Sequence, residues 1–191
     1  MTSTLFFLRK VFWLNLLKIL ALLFVGAMIL MQIPELRYDL QEARPVFITG
    51  QDDMTQERFS SSTFVSISGT PDFEKAFIYQ RYGLSYTYFT VKPYGMRLVV
   101  RTYNPVTAEW KDLNRFLGKL RPFNDQPFSY RIRQIFQDKY QTEVPEDAFF
   151  LGLEDIPKVS GWQIGAVIFA GTLWMVMFYM FFFFERTRKS N

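Results

Sequence analysis

The chain has 191 residues, a formal net charge of +4, no cysteine and no histidine. Without Cys there is no disulfide, thiolate ligand or thiol nucleophile; without His there is no His-ligated haem, no common zinc site and no Ser-His or Cys-His catalytic pair. The charge is uneven: Pro34 to Ser160 holds 16 Lys+Arg against 17 Asp+Glu, so the basic excess lies at the two ends and reads as a membrane-topology signal, with no nucleic-acid partner expected.

Residues 1–12 form a cytoplasmic or interfacial segment with Arg9 and Lys10, and a first transmembrane helix is expected over 13–33. The clean run from Ile19 to Ile33 covers only about 22 Å at 1.5 Å per residue, so the span starts near Trp13 and Lys18 snorkels towards the headgroups. A cleaved signal peptide has the same order of basic start and apolar run, but no small-x-small site ends this one. Asn15 and Lys18 share a helical face. Pro34 is expected to end the helix.

The middle, residues 34–160, is long enough for one domain with its own core. Arg44–Thr49 reads as a first strand, and Gly50-Gln-Asp-Asp53 as a turn. Thr63–Ser68 alternates as a half-buried strand does, and Asp72–Ala76 reads as a helical turn or loop. Phe77–Tyr82, Leu84–Val91 and Met96–Tyr103 are rich in aromatic and β-branched residues, with Gly83 and Lys92-Pro-Tyr-Gly95 as turns. A strand around Asn114–Leu120 and a last one at Ala148–Leu153 bracket an amphipathic helix over Pro127–Tyr140. That helix has Asp125 as its N-cap and Phe128, Ile132, Ile135 and Phe136 on its apolar face. The fold class expected is α+β: a small barrel or sandwich, OB-like, with one helix, held between two transmembrane helices.

The second transmembrane helix, 161–184, contains Trp162–Phe184 without a charge, about 34 Å of helix against a hydrocarbon core of about 30 Å. Its small residues Gly161, Gly165, Ala166 and Ala170 offer a helix-packing ridge. Trp13, Lys18 and Trp162 are the expected interface anchors, together with Arg186, Arg188 and Lys189 in the basic tail 185–191. Basic residues outside both spans and Glu35, Asp39, Glu42, Glu154 and Asp155 inside them place both termini in the cytoplasm and the middle domain across the membrane, periplasmic or otherwise extracytoplasmic.

Chemistry is sparse. Asp52-Asp53 and Glu146-Asp147 sit in turns, where Asp bonds its own backbone, and their spacing matches no Ca²⁺ loop. Ser60–Ser62 has no base beside it in sequence, and no glycine-rich phosphate loop exists. No catalytic, metal or cofactor residue is assigned, and no cofactor is expected. The aromatics among Tyr79–Tyr82 and Arg97–Tyr103 read as core and cross-strand pairs or as partner anchors.

The layout of span, outer domain and span, with RPVFITG and VSISGTPDFEKAFIYQR, resembles an uncharacterised group of bacterial two-span membrane proteins. In architecture it is similar to the Surf-family assembly factors of cytochrome oxidase, without that family's His or its Gly-rich strand signature, and no site residue is carried over. The function expected is a non-enzymatic accessory or assembly subunit of a larger membrane complex, contacting the lipid bilayer and other membrane subunits. The alternative is a free-standing membrane-anchored ligand-binding or sensory domain.

Overall fold

The computed structural model describes residues 2–184, with side chains from 12 to 183. In chain order it contains helix α1 (Thr2–Asp39), strands β1 (Val46–Ile48), β2 (Thr63–Ser68), β3 (Thr70–Arg81), β4 (Leu84–Lys92), β5 (Gly95–Thr102) and β6 (Arg115–Pro122), helix α2 (Ser129–Tyr140), strand β7 (Phe149–Leu153) and helix α3 (Gly161–Tyr179). Two compact units result, residues 1–37 with 159–191, and residues 38–158.

In the first unit, two helices are long and apolar enough to cross a membrane: Phe12–Asp39, mean hydropathy 2.4, and Gly161–Phe183, mean hydropathy 2.0. Pro34 lies inside α1 and does not end it. A proline without its N–H forfeits the bond to the carbonyl four residues earlier, at Leu30, and one lost bond does not stop so long a helix. The start of α3 is fixed by a capping box: Ser160 Oγ accepts from the Gln163 N–H at 3.2 Å, while Gln163 Oε1 accepts from the Ser160 N–H at 3.2 Å. Its last turn, Met180–Phe184, widens to a π-helix.

The second unit is built on one seven-stranded mixed sheet in the order β1-β2-β6-β7-β5-β4-β3. The β1/β2 and β5/β7 pairs are parallel and the others antiparallel. The expected closed barrel is therefore replaced by an open sheet, although a strongly curved one. Gly69 alone joins β2, near one edge, to β3, the opposite edge. A Cβ there would lie 2.5 Å from the Lys92 carbonyl oxygen, so only glycine fits this corner. Curvature also shows in the rings of Phe89 on β4 and Phe116 on β6, 5.9 Å apart. Three strand steps on a flat sheet would separate their backbones by about 14 Å.

The concave face holds the larger core, with Ile48, Val65, Phe89, Val100, Phe116 and Leu151 all buried. The other face is covered in part by α2, whose Ile132 and Phe136 pack with Val99, Phe123 and Phe150. β2 buries Phe64, Val65, Ser66 and Ile67 in succession and does not alternate as expected: its concave side joins the larger core, and on its other side Phe64 lies opposite the buried Lys119, which packs on Tyr38. Asp72–Ala76, expected as a helical turn or loop, is part of β3, at an irregularity where the pairing register with β4 shifts between Asp72 and Phe77. It carries Phe73 and Ala76 to one core and Phe77 to the other, as a bulge re-aims side chains.

The amphipathic helix also needs correction at its start. α2 begins at Ser129; Asp125 ends a short 3₁₀ turn, and the N-cap position is Phe128, left-handed at φ 69° with no side-chain cap. Phe128 is therefore exposed and off the apolar face.

Candidate functional site

In the helical unit, Trp13 and Trp162 are exposed. Lys18 is half-buried, with its Nζ 5.8 Å from the centre of the Phe181 ring. Asn15, on the same face by spacing, is exposed. Gly161 and Gly165 have nothing within 4 Å of where a Cβ would stand. Ala166 and Ala170 line a groove of about 470 Å³ between α1 and α3, facing Val25, Met28 and Ile29. The close approach lies elsewhere. Trp174 Nε1 donates to the Leu22 carbonyl at 2.9 Å, and Gly26 leaves room for the indole, 3.5 Å from its absent Cβ. The sequence signal for this contact was a Gly in one apolar run and a Trp in the middle of the other. Arg186, Arg188 and Lys189 lie outside the described residues.

In the sheet domain, one row of side chains crosses six strands on the α2-covered face: Phe64, Lys119, Gly152, Arg101, Tyr88 and Phe77, each opposite the next. Lys119 is only 2 % exposed, and its Nζ lies 4.0 Å from the centre of the Tyr38 ring. Tyr38 is fully buried and donates from its hydroxyl to the Asp155 carbonyl at 2.6 Å, tying the first and last turns of the domain together. Arg101 lies over Tyr86, Tyr103 and Phe150, with centre distances of 5.4, 4.9 and 5.1 Å. Burial pushes the Tyr88 hydroxyl up to about 12, a rise that nearby Arg101 partly offsets. These cations are enclosed by rings, an arrangement that stabilises a positive charge away from water.

Two of the carboxylates singled out in sequence, Asp52 and Asp147, have partners. Asp52 Oδ2 accepts from the Thr49 N–H at 2.7 Å and the Thr49 hydroxyl at 2.9 Å, and these bonds lower its pKa. Asp147 pairs with Arg97 at 3.1 Å. Glu154, read as a membrane-flanking charge, holds the end of β5: it accepts from Thr102 Oγ1 at 2.7 Å and from Asn104 Nδ2 at 2.8 Å. Among the described residues no group of three or more carboxylates is placed to hold a metal ion.

One surface cluster stands apart. The β3–β4 hairpin turns through Tyr82 and Gly83, both left-handed, at φ 48° and 78°. Its Arg81 guanidinium sits 3.2 Å from the centre of the Phe128 ring and 4.5 Å from that of Tyr82, whose hydroxyl accepts from Arg81 Nη2 at 2.9 Å. Around this contact Tyr82 is 87 % exposed, Phe128 51 % and Leu84 53 %. Tyr130, two residues beyond Phe128, is 77 % exposed. Two aromatic residues in a backbone region that disfavours side chains thus present their rings to solvent.

Comparison with known proteins finds no matching family model, no matching curated protein and no matching solved structure.

Proposed function

We propose that this chain is a non-enzymatic accessory or assembly subunit of a larger membrane protein complex. Both apolar helices cross the bilayer, the termini lie in the cytoplasm, and the sheet domain docks on a partner from the extracytoplasmic side. The observation that carries the reading is the exposed ring pair of Tyr82 and Phe128 around Arg81, with Tyr130 exposed two residues beyond Phe128. Tyr and Arg are the residues that anchor protein interfaces, and left-handed backbone at two bulky residues is a cost that a docking role accounts for. The basic flanks at Arg9, Lys10, Arg186, Arg188 and Lys189 support the orientation.

Gentle detergent extraction followed by native sizing and mass spectrometry tests the subunit reading. A discrete species containing other membrane proteins is expected, and recovery only as a lone monomer overturns it in favour of a free-standing domain. Orientation is read by cysteine accessibility in this cysteine-free chain, with Thr2→Cys, Asp53→Cys and Ser190→Cys made singly. Asp53→Cys should label only from outside, and labelling from the cytoplasm alone refutes the topology.

A further inference from the structure

We propose that the arginine–aromatic patch at the start of α2 is the docking surface, and that its occupant is an acidic segment of a partner protein. The proposal rests on the subunit reading and deepens it. Two arginines lie at this end of the domain, Arg81 on β3 against Phe128 and Arg131 in the first turn of α2, and neither forms an ion pair among the described residues. Arg131 Nη1 donates only to the neutral Gln134, at 2.8 Å, and Arg133 Nη2 to the neutral Asn124, at 3.0 Å. Arg81 Nη1 and Arg133 Nε are buried without a hydrogen-bond partner. The segments 76–91 and 126–137 contain no Asp or Glu; the acids next to them lie to one side, Asp138 and Glu143 lining a shallow cavity with Tyr130 and Arg133.

The helix start is also assembled against its own local preferences. The N-terminal end of a helix carries partial positive charge and favours acids, with Ser, Thr, Asp or Asn as the cap. α2 has no acid in its first turn, no side-chain cap, a left-handed Phe128 at the cap position and Arg131 in its opening turn. Just before it, Gln126 is 3 % exposed, and neither its amide nitrogen nor its amide oxygen has a partner. Where several local rules fail together, the expected reason is a functional site. A carboxylate-bearing segment compensates all of them at once: it meets the helix end, neutralises the arginines in a ring-walled setting that strengthens the pairing, and covers Tyr82, Leu84 and Tyr130.

The test places the photo-reactive residue p-benzoylphenylalanine at Tyr82 or Tyr130 in the full chain in its host cells, and at Glu57 as a control outside the patch. Mass spectrometry identifies the crosslinked peptide. Support requires three results together: a segment of another protein with net negative charge, at least a tenfold loss of crosslink in Arg81→Glu/Arg131→Glu, and recovery when the segment's carboxylates are replaced by Lys. Crosslinks confined to lipid or to a second copy of this chain overturn the proposal, as does a segment without net negative charge or a yield unchanged by charge reversal. If the double variant is misfolded by protease sensitivity, Arg131→Glu alone decides, because Arg131 is exposed and bonds only Gln134. A native complex that survives charge reversal refutes the patch and leaves the subunit reading standing; a monomeric wild type refutes the subunit reading itself.

Discussion

The helical unit and the sheet domain solve opposite problems with similar residues. In the helical unit large apolar side chains such as Leu20, Phe24, Ile168 and Phe169 are exposed, and an indole N–H to the Leu22 carbonyl ties α3 to α1. In the sheet domain Phe89, Phe116, Phe136 and Phe149 are buried to the last ångström, and lysine and arginine are folded in among rings. On the proposed membrane placement of the helical unit, the difference is one of solvent. Apolar surface gains by leaving water but gains nothing by leaving hydrocarbon. Packing errors should therefore be severe in the domain and mild between the helices.

Glycine substitutions draw that contrast most sharply. Gly118→Ala would set a Cβ 2.2 Å from the Gly152 carbonyl oxygen and 2.9 Å from its carbon, both backbone atoms on the neighbouring strand. β6 and β7 must separate, and loss of the folded domain is expected, read as complete loss of protease resistance and of slow amide exchange in residues 38–158. Gly152→Ala, across the same strand pair, meets its nearest atom at 3.6 Å, an ordinary contact, and should leave the domain folded. Gly165→Ala in α3 meets nothing within 4 Å and should leave the helical unit unchanged in the same exchange experiment. A folded Gly118→Ala variant would refute the close-packed account of the sheet centre.

Next in size is Phe136→Ala. This fully buried ring packs edge-on against Phe77 at 4.9 Å under α2, and its removal should cost about 3–5 kcal/mol by urea unfolding followed by near-ultraviolet circular dichroism. A loss below about 1 kcal/mol would mean that α2 is not a core element. Phe136 and Ile132 were readable from helical spacing alone, because core positions obey a period. Phe128 obeyed the same period and was misplaced. Its left-handed backbone, which no periodicity encodes, takes it out of the helix and onto Arg81. β2 misled in the same way: alternation predicts one wet face, whereas Tyr38 and Lys119, far apart in sequence, supply cover on the second. The barrel expectation failed over strand order, since composition identifies strands without saying that β1 and β3 are left as unjoined edges. The capping box Ser160–Gln163 was present in the sequence as S-x-x-Q and fixes the α3 start for a local reason. The Arg81 cluster was visible only as aromatic and basic residues in succession.

Tyr88 allows a titration of the domain core. Its hydroxyl is raised from 10 to about 12, chiefly by burial, so the folded state keeps it neutral at pH values where the unfolded chain ionises. The stabilisation is complete below about pH 10 and is lost as the pH rises through about 12. The window corresponds to about 2–3 kcal/mol at 1.36 kcal/mol per unit. Tyr88→Phe cannot ionise, and its stability should fall less steeply than wild type between pH 10 and 12 in the same urea experiment. Parallel curves would show that Tyr88 reaches solvent.

The smallest effect belongs to the helical unit and tests the other half of the contrast. Trp174→Phe removes the Nε1 donor to the Leu22 carbonyl and keeps most of the ring area that stacks on Phe178 at 5.6 Å. The Leu22 carbonyl remains within a continuous helix, so it is not orphaned by the change, and hydrogen bonds between helices in a bilayer are worth only about 0.6 kcal/mol on average. Helix–helix separation, followed by energy transfer between dyes on cysteines introduced at exposed positions of α1 and α3, should shift by about that amount in a denaturing detergent titration. A loss of about 3 kcal/mol or more would place this bond in a class with the packed domain core, and the two units would then be held by the same rules despite their opposite surfaces.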